Sequence, residues 1–247
     1  MNLKILEQLM AEKKLIRASE IPDLEFFTTG FKDLDKIVMY PKGRIVEVFG
    51  AQSVGKTSLT QYSIAGMTQA GLECLFIDVE NTFNKDWAIK LGVDLEKLSY
   101  TNASIIEEIV EIVKDNVKKF DVIVIDSLAQ MIPRAELEGK SGDAHMGLRA
   151  RLINQFMRMI APELAKHNTT LIFINQLRAS MAMFGPKSET PGGMGLRFAA
   201  SLRLELKTTA KDKIIKKGEQ VGHKVTATVV KSKVGKPKGT AQFSILY

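Results

Sequence analysis

From Arg44 onward the chain alternates short apolar runs with stretches whose apolar residues recur at helical spacing. This rhythm predicts strand Arg44 to Phe49, helix Lys56 to Ala70, strand Cys74 to Val79 and helix Lys85 to Leu91. It continues through strand Leu98 to Thr101, helix Ile105 to Lys118, strand Val122 to Asp126, helix Ala144 to Lys166 and strand Thr170 to Gln176. Runs such as Val122 to Ile125 and Leu171 to Ile174 have no polar side. Both of their faces must be covered, which predicts a mostly parallel sheet between layers of helices. After Ala199 the pattern becomes alternating in Leu202 to Leu206, Val225 to Val229 and Phe243 to Leu246, and predicts antiparallel strands that extend the sheet. Upstream, Leu3, Ile5, Leu6, Leu9 and Met10 draw an apolar stripe along a helix from Asn2 to Ile16, and Ser19 to Phe31 reads as a linker or lone strand. The expected organisation is a helix and linker over residues 1–31, then one α/β core over residues 32–247.

Length and composition agree with one main domain: 247 residues, 45% of them hydrophobic, can bury one substantial core and a small appendage. No run of about 18 apolar residues occurs, and charges interleave the N-terminal apolar residues, so the expectation is a soluble, cytoplasmic chain with no membrane partner. The single cysteine, Cys74, lies in the apolar run Leu72 to Ile77 and reads as a small buried hydrophobe without an intramolecular disulfide partner. A formal net charge of +7 favours polyanionic partners such as nucleic acid. Five lysines within Lys207 to Lys217 and four within Lys231 to Lys238 concentrate that charge near the C-terminus. A charge run of this kind equally describes a solvated face, and composition leaves both readings open.

Candidate chemistry sharpens the picture. Gly50-Ala51-Gln52-Ser53-Val54-Gly55-Lys56-Thr57 fits the pattern G-x-x-x-x-G-K-S/T directly after a predicted strand and at the start of a helix, with Ser58 following. Glycines there let backbone N–H groups wrap the phosphates of ATP, Lys56 reaches the outer phosphates, and Thr57 is a ligand for Mg2+. Asp126 ends its strand at the same carboxyl edge, suited to hold magnesium, although a carboxylate after an apolar run also serves as a helix cap. Glu80, after the strand Leu75 to Val79, is suited to polarise the attacking water, and Asp78 competes for that role. Gln176 ends another strand, where an amide can sense the γ-phosphate; a surface glutamine at a strand end is the plainer alternative. Met181, Met183 and Phe184 lie between Arg178 and Lys187, an apolar cluster that reads either as a buried plug or as wedges between bases.

These residues, with Phe76 to Glu80, Glu138 to Gly147 and Phe173 to Arg178, resemble the bacterial RecA recombinase family in order and spacing over roughly residues 28–247. The resemblance implies a P-loop NTPase of RecA type and a first DNA-binding loop over residues 136–146, including Met146. It implies a second such loop over residues 178–193, with Arg178, Met181, Met183 and Phe184 on it and Gly192 and Gly193 opening the next helix. It further implies backbone contacts to DNA from Arg151 and Arg158, and trans contacts from Lys231 and Lys233 to the ATP of a neighbouring protomer. Phe198 matches an interface aromatic, Tyr247 an aromatic near adenine, and Trp87 the place of a tyrosine that stacks on the base. The N-terminal helix is expected to dock on a neighbouring protomer. Asn84 and Met194 depart from the pattern, standing where the family commonly carries Asp and Asn. Beyond the position of Tyr247 the family continues into a small C-terminal domain, so the chain is expected to be either a minimal, phage-type recombinase or a fragment.

The function expected is an ATP-dependent recombinase that forms a helical filament of its own copies on single-stranded DNA and exchanges strands with duplex DNA. An ATP-switched DNA-coating scaffold and a hexameric helicase on the same core are the competing readings.

Overall fold

The computed structural model of the chain describes residues 15–139, 147–179, 188–235 and 238–247. The helix expected from Asn2 onward, the start of the helix expected from Ala144, and the candidates Met146, Met181, Met183 and Phe184 therefore lie wholly or mostly outside the described residues.

The first elements are β1 (Phe26–Phe27), α1 (Lys32–Asp35) and β2 (Tyr40–Pro41), with β1 and β2 paired antiparallel. There follow β3 (Ile45–Gly50), α2 (Lys56–Gln69), β4 (Cys74–Asp78), α3 (Lys85–Lys90), β5 (Leu98–Thr101), α4 (Ile106–Asn116) and β6 (Val122–Asp126). The chain continues through α5 (Arg134–Glu138), α6 (Leu148–His167), β7 (Thr170–Gln176), the short antiparallel pair β8 (Arg178–Ala179) and β9 (Ser188–Glu189), and α7 (Gly193–Ala199). It closes with β10 (Leu202–Lys207), β11 (Lys213–Lys216), β12 (Glu219–Ser232) and β13 (Gly239–Leu246).

Nine strands among the described residues form one sheet, ordered β5-β4-β6-β7-β3-β10-β12, with β13 and β11 both pairing with β12. Neighbours from β5 to β10 are parallel throughout. Successive strand residues point to opposite faces, and the apolar runs are covered on both. Val46, Val48, Val124 and Ile174 pack with Leu59, Ile64 and Met67 of α2 in one core. Ile123, Ile125, Leu171 and Phe173 pack with Ile109 of α4 and Ile153 and Phe156 of α6 in the other.

The expectation that every strand after Ala199 is antiparallel needs correction, because β10 runs parallel beside β3. Its polar residue Arg203 is buried against Glu47 of β3, with its guanidinium 4.6 Å from the Phe49 ring centre. The antiparallel part begins only at β12. The short helices α1 and α5 were not expected, being too brief to show a period.

Cys74 is fully buried in β4, and its thiol is pushed up to about 12, first by burial and then by the Asp121 and Glu73 charges. Only the thiolate reacts readily, so the folded protein should resist an aromatic disulfide reagent at pH 8 and release one equivalent of thiol on unfolding. Rapid labelling of the folded chain, at the pace of a free cysteine, would contradict this burial. Among the described residues no helix is long and apolar enough to cross a membrane.

Candidate functional site

The carboxyl edge of the parallel strands gathers one cleft, lined by Gln52, Ser53, Gly55 to Ser58, Glu80, Trp87, Asp126, Gln176, His223 and Tyr247 among others. Its floor is the turn between β3 and α2. A side chain at Gly50 would place Cβ 2.4 Å from the Leu206 carbonyl oxygen, and Gly55 has φ +96° with Ile245 equally close, so both positions demand glycine. Val54 is buried beneath the turn, while Ala51, Gln52 and Ser53 stay exposed. This leaves the turn's backbone and the N-terminus of the 14-residue α2 facing the cleft, an arrangement suited to anionic ligands.

Lys56 donates from Nζ to the carbonyls of Gly50 at 3.3 Å and Ala51 at 2.6 Å. Burial holds its ammonium below the ordinary lysine value, partly offset by Asp126 and Glu80. Thr57 Oγ1 donates to Asp126 Oδ2 at 2.5 Å, which joins two residues from distant parts of the chain. Asp126 is pushed up to about 7, chiefly by burial; the Thr57 hydrogen bond lowers it, while the charges of Glu80 and Asp78 raise it. A divalent cation beside Asp126 and phosphate oxygens beside Lys56 would add counter-charge to both groups. Among the described residues no three His, Cys, Asp or Glu side chains cluster as a metal cage. Thr57 and Asp126 suit magnesium, which takes one or two protein ligands and fills its shell with water and phosphate.

Glu80 and Gln176 are brought into direct contact, Gln176 Nε2 donating to Glu80 Oε1 at 2.8 Å. The same oxygen accepts from Ser127 Oγ. Ser127 was missed in the sequence, although its place directly after Asp126 was the available signal. Asp78 is fully buried, and its Oδ2 accepts from Phe83 N at 2.8 Å and Tyr100 Oη at 3.2 Å. It does not line the cleft, so of the two carboxylates only Glu80 is placed to meet a ligand.

Trp87 from α3 and Tyr247 after β13 also line the cleft. Asn84 caps α3, its Oδ1 accepting from Trp87 N at 2.9 Å. His223 was also missed. Reading the inward alternation Val225, Ala227, Val229 two residues further back would have found it on the buried face of β12.

Beyond Gln176 the strand leads directly into the segment holding Arg178. The buried Asn175 binds that segment's far end, its Nδ2 donating to Glu47 Oε1 at 2.9 Å and to the Pro191 carbonyl at 2.8 Å. Gly192 and Gly193 follow with φ of +98° and +68° and do open a helix, α7. Arg151 and Arg158 are exposed on α6, two turns apart on one side. Lys231 and Lys233 do not line the cleft of their own chain. Both ammonium groups reach the last carbonyls of α7: Lys231 to Phe198 O at 3.0 Å and also to Arg197 O, Lys233 to Phe198 O at 2.8 Å. Burial, then the charges of Lys233 and Arg203, hold Lys231 below the ordinary value. Phe198 and Met194 of the same helix are 66% and 56% exposed, a large apolar surface beside two cations.

The family described as RecA N-terminal domain matches residues 2–247. "Protein RecA" of Streptomyces avermitilis is 40% identical over 252 aligned residues, covering 98% of this chain and 66% of that protein. "Protein RecA" of Leifsonia xyli subsp. xyli is 44% identical over 212 residues, covering 84% of this chain and 58% of the relative. The chain thus spans roughly 58–66% of the length of these relatives. With nearly every residue inside the match, the chain belongs to the RecA family.

Proposed function

We propose that the chain is the ATPase core of a DNA recombinase, which binds ATP and magnesium, assembles as a filament on single-stranded DNA, pairs it with duplex DNA and hydrolyses ATP to let go. The observation that carries this reading is the hydrogen bond between Glu80 and Gln176 at the end of β7, the strand that runs straight into the Arg178 to Gly193 segment. One side chain at the outer phosphate is thereby tied to the chain expected to hold DNA. In this reading Thr57 and Asp126 hold magnesium, Lys56 neutralises the transferring phosphoryl group, and Glu80 takes the proton of the attacking water. Gln176 responds to the γ-phosphate by exchanging its bond to Glu80 for one to the nucleotide, and β7 passes the change to the DNA segment. Arg151 and Arg158 supply salt-dependent contacts to the DNA backbone. The shared family with two proteins named RecA supports this role.

Glu80→Gln tests the reading. An amide fills the same space and still accepts from Ser127, yet it cannot take a proton, so ATP and DNA binding should persist while DNA-stimulated turnover falls about a hundredfold. Loss of ATP binding instead would make Glu80 structural. Strand exchange between plasmid-length DNAs separates a recombinase from a passive DNA-coating scaffold, and rings in place of filaments by electron microscopy would favour a helicase.

A further inference from the structure

The strand order divides the cleft. The P-loop follows β3, and β7, β6 and β4 on one side bring Gln176, Asp126 and Glu80 to it. On the other side lie β10, β12 and β13, and β12 runs antiparallel, so its first residues reach the same edge. There His223 is only 7% exposed and lines the cleft, and its Nε2 has no hydrogen-bond partner among the described residues. Its other nitrogen is engaged, Nδ1 standing 2.8 Å from Tyr247 Oη. The ring is thus fixed, with Nε2 only 3.3 Å from where a side chain on Gly55 would begin. A buried polar nitrogen without a partner is costly unless a ligand completes it. Asn84, another polar residue of the cleft lining, spends its carbonyl oxygen on capping α3.

We propose that His223, positioned by Tyr247, is a specificity-determining residue whose Nε2 hydrogen-bonds the nucleoside part of the bound nucleotide. The assignment rests on the nucleotide reading of the cleft. That reading puts the outer phosphates toward Glu80 and Gln176, so the nucleoside lies toward His223.

Calorimetric titration of the full chain with ATP and with inorganic tripolyphosphate, both with magnesium and without DNA, separates this role from a structural one. His223→Leu should weaken ATP about tenfold, the usual scale for a lost hydrogen bond in a buried site, and leave tripolyphosphate within about twofold. His223→Gln, which returns a polar group near Nε2, should recover much of the ATP affinity. Tyr247→Phe keeps the ring and removes the hydroxyl, and should weaken ATP less than His223→Leu does, again sparing tripolyphosphate; it also serves if His223→Leu fails to fold. Unchanged ATP affinity in both His223→Leu and Tyr247→Phe overturns the proposal. So does an equal loss for both ligands, which would make His223 a prop for Gly55. A parent protein that binds neither ligand overturns the nucleotide reading itself.

Discussion

Lys56→Ala is expected to lower DNA-stimulated ATP turnover by about a thousandfold, the scale on which a single cationic or hydrogen-bonding group stabilises a phosphoryl-transfer transition state. The ammonium is held at the mouth of the P-loop by the carbonyls of Gly50 and Ala51, where it can swing to the outer phosphates without a large rearrangement. Alanine removes the charge and leaves the backbone cradle and the Thr57 to Asp126 pair in place. Because burial disfavours the Lys56 charge, its removal relieves a desolvation cost, and the thermal midpoint should not fall. Phosphate release and a thermal melt, read on the same preparation, therefore separate the two effects. Turnover within tenfold of the parent would sink the P-loop assignment; lost turnover with a collapsed melt would show only misfolding.

The second large effect is expected from Lys231→Ala combined with Lys233→Ala. Lys231 and Lys233 lie side by side, and Lys231 is held below its ordinary value, first by burial and then by the charges of Lys233 and Arg203. They sit beside exposed Phe198 and Met194, as a surface facing another copy would. If they reach a neighbour's ATP, the double variant should bind ATP like the parent yet lose about a thousandfold in DNA-stimulated turnover. Mixing it with the Lys56→Ala protein should restore part of the activity, because some mixed interfaces then join an intact P-loop to an intact lysine pair. The lysines also hold the end of α7, so a simple loss of activity could come from fraying there. Complementation discriminates between the two, since a frayed helix would not recover in mixed filaments. Full DNA-stimulated hydrolysis by the double variant alone would refute the trans role.

Much of the candidate site is legible in the sequence because its polar residues sit at strand ends, and the strands announce themselves as apolar runs. Asp126 and Gln176 end their observed strands, as read from the pattern alone. Glu80 falls two residues past the end of β4, because the chain turns at Val79, whose N–H bonds the Asp126 carbonyl. What stayed hidden depends on contacts between distant residues. Arg203 resembles a solvated position until Glu47, 156 positions away, is set beside it. His223 looks like one more polar residue in a basic region until Tyr247 and Gly55 surround it. Lys213 to Lys216, read as part of a charge run, form β11, where lysines suit a strand at the margin of a sheet.

The strand order also has a consequence for synthesis. β3, which carries the P-loop, is flanked by β7 and β10, and neither follows it closely in the chain. While the protein emerges from the ribosome, β4, β5 and β6 can pair with one another, but β3 waits for Thr170–Gln176 to give it one neighbour and for Leu202–Lys207 to give it the second. Until then β3 is an apolar strand with open edges, the kind of surface on which other chains can pair. The turn between β3 and α2, complete in sequence by Thr57, thus waits on strands far downstream for its support.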